Sequence, residues 1–336
     1  DFVSLMPESA HMVMWAMSDR AIPRSLRMME GFGVHTFKFV NNEGKGTFVK
    51  FHWKPKLGVH QVAWQEAQKI SGYDADFHRR DLWEAIDKGN YPQWDLGVQL
   101  IPEEDELKYS FDILDPTKLI PEEVVPVQII GTMTLNRNPE NFFAETEQIA
   151  FDPGRLVPGI DFSNDPLLQG RVFSYADTQN YRLGGPNFHE LPINRPVNGK
   201  YNNQKDGFGR QDILKGNVSY FPNSLGGGCP YHAMLKGESG FESHAEKIDA
   251  KKIRGRSSSF ADHFTQARLF FQSQSPAEQE HIISAYSFEL SKINSPDIRR
   301  RELAILNQID DNLAKAVGDN LGIEPPKELD ELTVQF

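Results

Sequence analysis

Residues 168–185 read LQGRVFSYADTQNYRLGG and set one tyrosine between two arginines. Arg171 precedes Tyr175 by four residues and Arg182 follows it by seven. On a helix, both offsets return to one face. Two readings fit this grouping: a solvated, positively charged helix face, or a phenol held near its anionic form. A tyrosine ordinarily titrates near ~10; a neighbouring cation favours the phenolate, and direct coordination to a metal favours it more. Arginine suits such a partner because it stays charged and offers several fixed donors. Tyrosinate is a known proximal ligand of haem iron, and Arg182 could meet a haem propionate through charge-assisted bonds. Spacing alone leaves both readings open.

Working outward, Asp165 stands six residues before Arg171, where it could cap the helix or balance an arginine. The preceding segment, 152–168, is rich in Pro, Gly and Asp and reads as loop. Before it, NPENFFAETEQIAFDPG predicts a helix over 139–149, with Asn138 as cap, Pro139 in the first turn and Glu140 at the positive end. Residues 35–53, HTFKFVNNEGKGTFVKFHW, predict a hairpin. Short helices are expected at 63–71 and 79–88, and further strands at 94–101 and 125–135. Four strands left as an open sheet would have edges to manage, which barrel closure removes.

Downstream, 184–260 is irregular, with recurrent Gly, Pro, Asn and Ser. So long a loop-rich stretch suggests an arm wrapping a partner in an oligomer, with disorder as the alternative. Ser275-Pro276-Ala277-Glu278 spells a capping box. Ile282, Tyr286, Leu290 and Ile293 then mark one helix, and Leu303, Ile305, Ile309, Leu313 and Val317 a second over 297–319. There is no internal repeat.

The 336 residues suffice for one large domain or two ordinary ones. A net charge of -11 argues against non-specific binding to nucleic acid or anionic membranes. Cys229 is the single cysteine and cannot form an internal disulfide. No apolar run approaches the ~20 residues of a membrane span. Opening on DFVSLMPE without an initiator methionine, the chain reads as a fragment or a processed product. Other chemistries lack their motifs. Gly226-Gly227-Gly228 has no phosphate-loop context, there is no GxGxxG, and His189-Glu190 does not begin an HExxH site. The ten histidines are scattered; His52, in KFHW, reads by itself as a core or hydrogen-bonding residue.

RVFSYADTQNYRLGGPNFHELPINRP, residues 171–196, resembles the proximal haem signature of monofunctional haem catalases. The likeness begins at DFVSLMPESAHMVMWAMSDRAIPRS and runs through GFGVHTFKFVN, GNYPQWDLGVQ, LNRNPENFFAETEQIAFDPG and VPGIDFS into the C-terminal helices. The resemblance implies an α+β catalase fold: a partial antiparallel β-barrel, then a wrapping arm, then a helical domain. On this chain the barrel part would be 1–150, the proximal haem helix and wrapping arm 151–260, with the arm itself over 184–260, and the helical domain 261–336. It implies Tyr175 as the iron ligand, Arg171 hydrogen-bonded to the phenolate with His52 and Asp165 behind it, and Arg182 on a propionate. It further implies disproportionation of hydrogen peroxide through an oxoferryl intermediate, in a homotetramer with no nucleic-acid or membrane partner.

Details of the motif look closer to the large-subunit branch, whose flavodoxin-like C-terminal domain is not seen before the chain stops at LTVQF. Asp152 stands where some of that branch carry a histidine joined to the ligating tyrosine, so no such crosslink is expected. Haem of b or modified d type both fit, NADPH is not expected, and the cytoplasm is the expected compartment. The family's distal histidine and asparagine would lie upstream of residue 1, so the chain alone should have little activity. Two alternatives stay open: a catalase-like haem protein without full catalase activity, and a haem-binding assembly subunit.

Overall fold

A computed structural model of the protein describes residues 1–197, 202–225, 229–235, 243–248, 251 and 253–333. The chain divides into two compact units, Asp1–Val34 with Lys50–Arg137 and Asp249–Phe336, and His35–Val49 with Asn138–Ile248. The Gly226-Gly227-Gly228 run lies outside the described residues.

In the first unit, helices α1 (Phe2–Leu5) and α2 (Ala10–Ala16) precede a short strand β1 (Gly31–Phe32). β1 pairs antiparallel with the C-terminal part of β3 (Gly46–Pro55), Phe32 facing His52 across the ladder. α3 (Trp64–Tyr73) and α4 (Phe77–Asp87) lead to β4 (Gln93–Pro102), which pairs antiparallel with β5 (Gln128–Thr134). The register slips between Leu96 and Gly97, where an added Cβ would collide with Val127. Glycine is what leaves room there for the Val127 side chain.

The C-terminal helices of this unit are α7 (Thr265–Ser273), α8 (Pro276–Ser291), α9 (Pro296–Ile309) and α10 (Asp311–Leu321), following α6 (Pro230–Leu235) of the other unit. Ala10 and Met14 of α2 share one core with Phe270, Ile282, Leu303 and Leu313. The expected capping box forms: Ser275 receives the Glu278 amide and Glu278 receives that of Ser275. The single helix expected over 297–319 is instead two. Asp310 takes an extended backbone, and its side chain accepts the amides of Asn312 and Leu313, starting α10 afresh.

In the second unit, β2 (Phe37–Val40) pairs antiparallel with the N-terminal part of β3, completing the expected hairpin. Its other edge pairs with β6 (Ile160–Asp161), placing Lys38 beside Asp161. The helix expected over 139–149 reduces to one π-helical turn, Phe143–Glu147. Asn141 and Glu145 take up amides at 140, 141 and 144, closing a turn before a longer helix can propagate. α5 (Pro166–Arg182) is long and regular. The α+β class, with a partial antiparallel barrel sheet followed by helices, is as expected. Among the described residues, no helix is long and apolar enough to cross a membrane.

Candidate functional site

α5 begins where its sequence says it should. Asp165 is fully buried and its Oδ1 accepts the amides of Leu167 at 2.9 Å and Leu168 at 3.1 Å. Pro166 fills the first helical position, where no amide proton is needed. Leu168 is fully buried and seats the first turn.

The second oxygen of Asp165 has a different partner. Oδ2 accepts a hydrogen bond from Nδ1 of His35 at 2.5 Å, across 130 residues of sequence. β2–β6 pairing creates this contact, because His35 leads into β2 and Asp165 follows β6. The Ser163 hydroxyl donates to the Thr36 carbonyl at 2.5 Å, stitching the same two segments. His35 Nε2 is buried without a partner among the described residues; in a neutral ring with its proton on Nδ1, that atom is an acceptor.

One turn along α5, Nη2 of Arg171 donates to the Tyr175 hydroxyl at 3.1 Å. The guanidinium also lies over the phenol ring, 4.9 Å from its centre. Both side chains are half-buried. At the far end of α5, Arg182 donates through Nε to Gln179 at 3.0 Å, through Nη1 to the Glu147 carbonyl at 2.8 Å, and through Nη2 to the Ile149 carbonyl. Gln179 in turn donates to the carbonyl of Phe151. These bonds tie residues 147–151 to the end of α5. Asp152 sits in the following turn, accepting the Gly154 amide.

His52 goes elsewhere. Its Nε2 meets Gln99 Oε1 at 2.7 Å on β4, while Gln99 donates to the carbonyls of Ile120 and Val125. Burial is the main cause pushing the His52 imidazole below its ordinary value, outweighing that hydrogen bond. His52 also lines a largely apolar cavity of about 560 Å³ in the first unit, with His11, Lys50 and Lys118. The histidine that meets Asp165 is therefore His35, not His52. The available signal was GFGVHTFKFVN, a histidine at the mouth of a strand, but only the strand pairing shows which carboxylate it reaches.

The donor set can be tested against iron. Among the described residues, no group of three or more His, Cys, Asp or Glu could hold a metal. A single phenol can hold iron there only if a macrocycle supplies most of the coordination. A hard oxygen donor under a guanidinium suits ferric haem, and exposed Phe143 and Phe173 on this unit offer apolar surface. The residues fit the group.

The catalase family profile matches residues 1–227, which is most of the chain. The chain belongs to the catalase family. A second profile, described as catalase-related immune-responsive, matches residues 257–321. Among catalases, the chain is 66% identical over 329 residues to catalase HPII of Pseudomonas putida, covering 97% of this chain and 46% of that protein. It is 62% identical over 327 residues to a catalase of Alkalihalophilus pseudofirmus, covering 97% of this chain and 48% of the other. Catalase-2 of Bacillus subtilis is 61% identical over 326 residues, with coverage of 97% and 47%. The chain thus spans about half the length of the curated catalases it matches.

Proposed function

We propose that this chain is the proximal-haem part of a catalase that disproportionates hydrogen peroxide to water and O2, with Tyr175 as the iron ligand. The observation that carries the reading is the hydrogen bond from Arg171 to Tyr175 on a helix capped by the His35-paired Asp165. When bound, haem supplies the two-electron chemistry that reduces one peroxide and oxidises the next.

The residues of the chain do the rest. Tyr175 presents its oxygen to the iron, and Arg171 donates to that oxygen and stabilises its negative charge. Asp165 fixes the start of α5 and holds the His35 proton on Nδ1. His35 Nε2 then stands as an acceptor for an N–H donor such as a guanidinium. Arg182 already donates through all three nitrogens. A guanidinium has five N–H groups in all, so two remain with which Arg182 binds a propionate. We place the protein in the large-subunit branch, acting as a homotetramer in the cytoplasm. Asp152 offers no imidazole for a crosslink to Tyr175, and the ligand set of Tyr175, Arg171 and Arg182 suits b- and d-type haem alike. The segment 184–260, irregular in sequence and lying in part outside the described residues, is assigned as the wrapping arm.

The test is the full-length protein purified with haem. It should show a Soret band with a tyrosinate–iron transition and release O2 from hydrogen peroxide. Tyr175→Phe should abolish the transition and nearly all O2 release. An unchanged Tyr175→Phe spectrum would sink the ligand assignment. Haem without O2 release in the wild type would assign haem binding without disproportionation.

A further inference from the structure

Glu246 lies in a segment without regular secondary structure, far along the chain from β2 and α5, yet its two carboxylate oxygens bridge β2 and the residues leading into α5. Oε1 accepts from Nζ of Lys38 on β2 at 2.7 Å, and Oε2 accepts from Nδ2 of Asn164 at 2.8 Å. Lys38 lies three residues after His35, and Asn164 immediately precedes Asp165. One side chain therefore joins the two segments whose ends form the His35–Asp165 pair. The join is costly to break, since Lys38 is 1% exposed with its ammonium over the Phe48 ring. Taking an ion-pair partner from an ammonium that water barely reaches weakens a contact made in a low dielectric. A second tie lies beside the first: Asp161 Oδ2, on β6, accepts the His244 amide at 2.5 Å and the Ser243 hydroxyl at 3.1 Å.

We propose that Glu246 is a positioning residue. By clamping β2 to the junction between β6 and α5, it sets the distance between His35 and Asp165 and, through the α5 cap, the pose of Arg171 and Tyr175. The functional consequence rests on reading Tyr175 as the iron ligand; the clamp itself does not. Glu246 touches neither the phenol nor its arginine, so its effect on iron must travel through the His35–Asp165 pair.

The experiment compares Glu246→Leu, Glu246→Gln and a Lys247→Ala control in the full-length haem protein. Amide hydrogen exchange of 35–40 and 160–168 reads the clamp; the tyrosinate–iron transition and the ferric/ferrous potential read its effect on iron. Glu246→Leu should raise exchange in both segments about tenfold and shift the transition and the potential. Glu246→Gln keeps a hydrogen-bond acceptor and should return both readouts most of the way, while Lys247→Ala should change neither. If Glu246→Leu does not fold, Asn164→Ala, which removes one arm of the bridge, should move both readouts in the same direction. Folded Glu246→Leu or Asn164→Ala protein with wild-type exchange and a wild-type iron spectrum overturns the proposal. A wild type lacking the tyrosinate–iron transition overturns the ligand assignment alone, because the exchange readout involves no iron.

Discussion

At the scale of single residues, the two histidines near the start of the sheet have opposite fates. His35 pairs with the carboxylate that caps α5, whereas His52 is satisfied by Gln99. His35→Gln is expected to lower O2 release or haem affinity by about 10–100-fold, as is usual when a partner behind a metal ligand is lost. His52→Gln should leave the iron spectrum unchanged and cost only stability, about 1–3 kcal/mol, through the broken buried network. A titration of haem uptake beside thermal melts separates these outcomes. Glu302 makes a pH prediction. Burial pushes its carboxyl up to about 7, so the folded chain holds the proton more tightly than the unfolded chain. The protonated carboxyl sits at no penalty below the unfolded value. Stability then falls as pH rises from there to about 7, by about 3 kcal/mol in total. Melts between pH 4.5 and 8 should show this decline in the wild type and a flat profile in Glu302→Gln.

At the scale of elements, α5 carries two duties on one aspartate. Asp165→Ala should remove the cap, costing about 1 kcal/mol, together with the acceptor for His35. Asp165→Asn can keep the capping oxygen while turning an N–H toward the His35 proton. Its melting temperature should therefore stay within a few degrees of wild type while O2 release falls as in His35→Gln. Much at this scale was legible in the sequence. The hairpin, α5 and the capping box rest on contacts within a few residues, and their side chains announce them. What was not legible rests on distant pairing or on local competition. β1 and β6 are two residues long and exist only because β3 and β2 pair with them. The break at Asp310 hides within a continuous apolar rhythm, where a capping side chain outweighs periodicity. Likewise the Arg171–Tyr175 contact and the Asp165 cap were legible from helical spacing, but the His35–Asp165 contact needed the β2–β6 register.

At the scale of the molecule, a bound haem stabilises the folded state by mass action, so removing it should lower the melting temperature and make melting depend on added haem. A haem-free preparation with an unchanged midpoint would argue against the site. One feature of the first unit bears on how such a chain comes to be made. Met14 and Ala10 share their core with Phe270 and Phe271, and Arg301 reaches back to Asp1. About 250 residues must leave the ribosome between those partners, some tens of seconds at ordinary translation rates. Through that interval Ala10 and Met14 of α2 lack their C-terminal core partners. The nascent chain is thus committed to late, long-range closure of this core, the kind of contact whose loop must be closed before it repays anything.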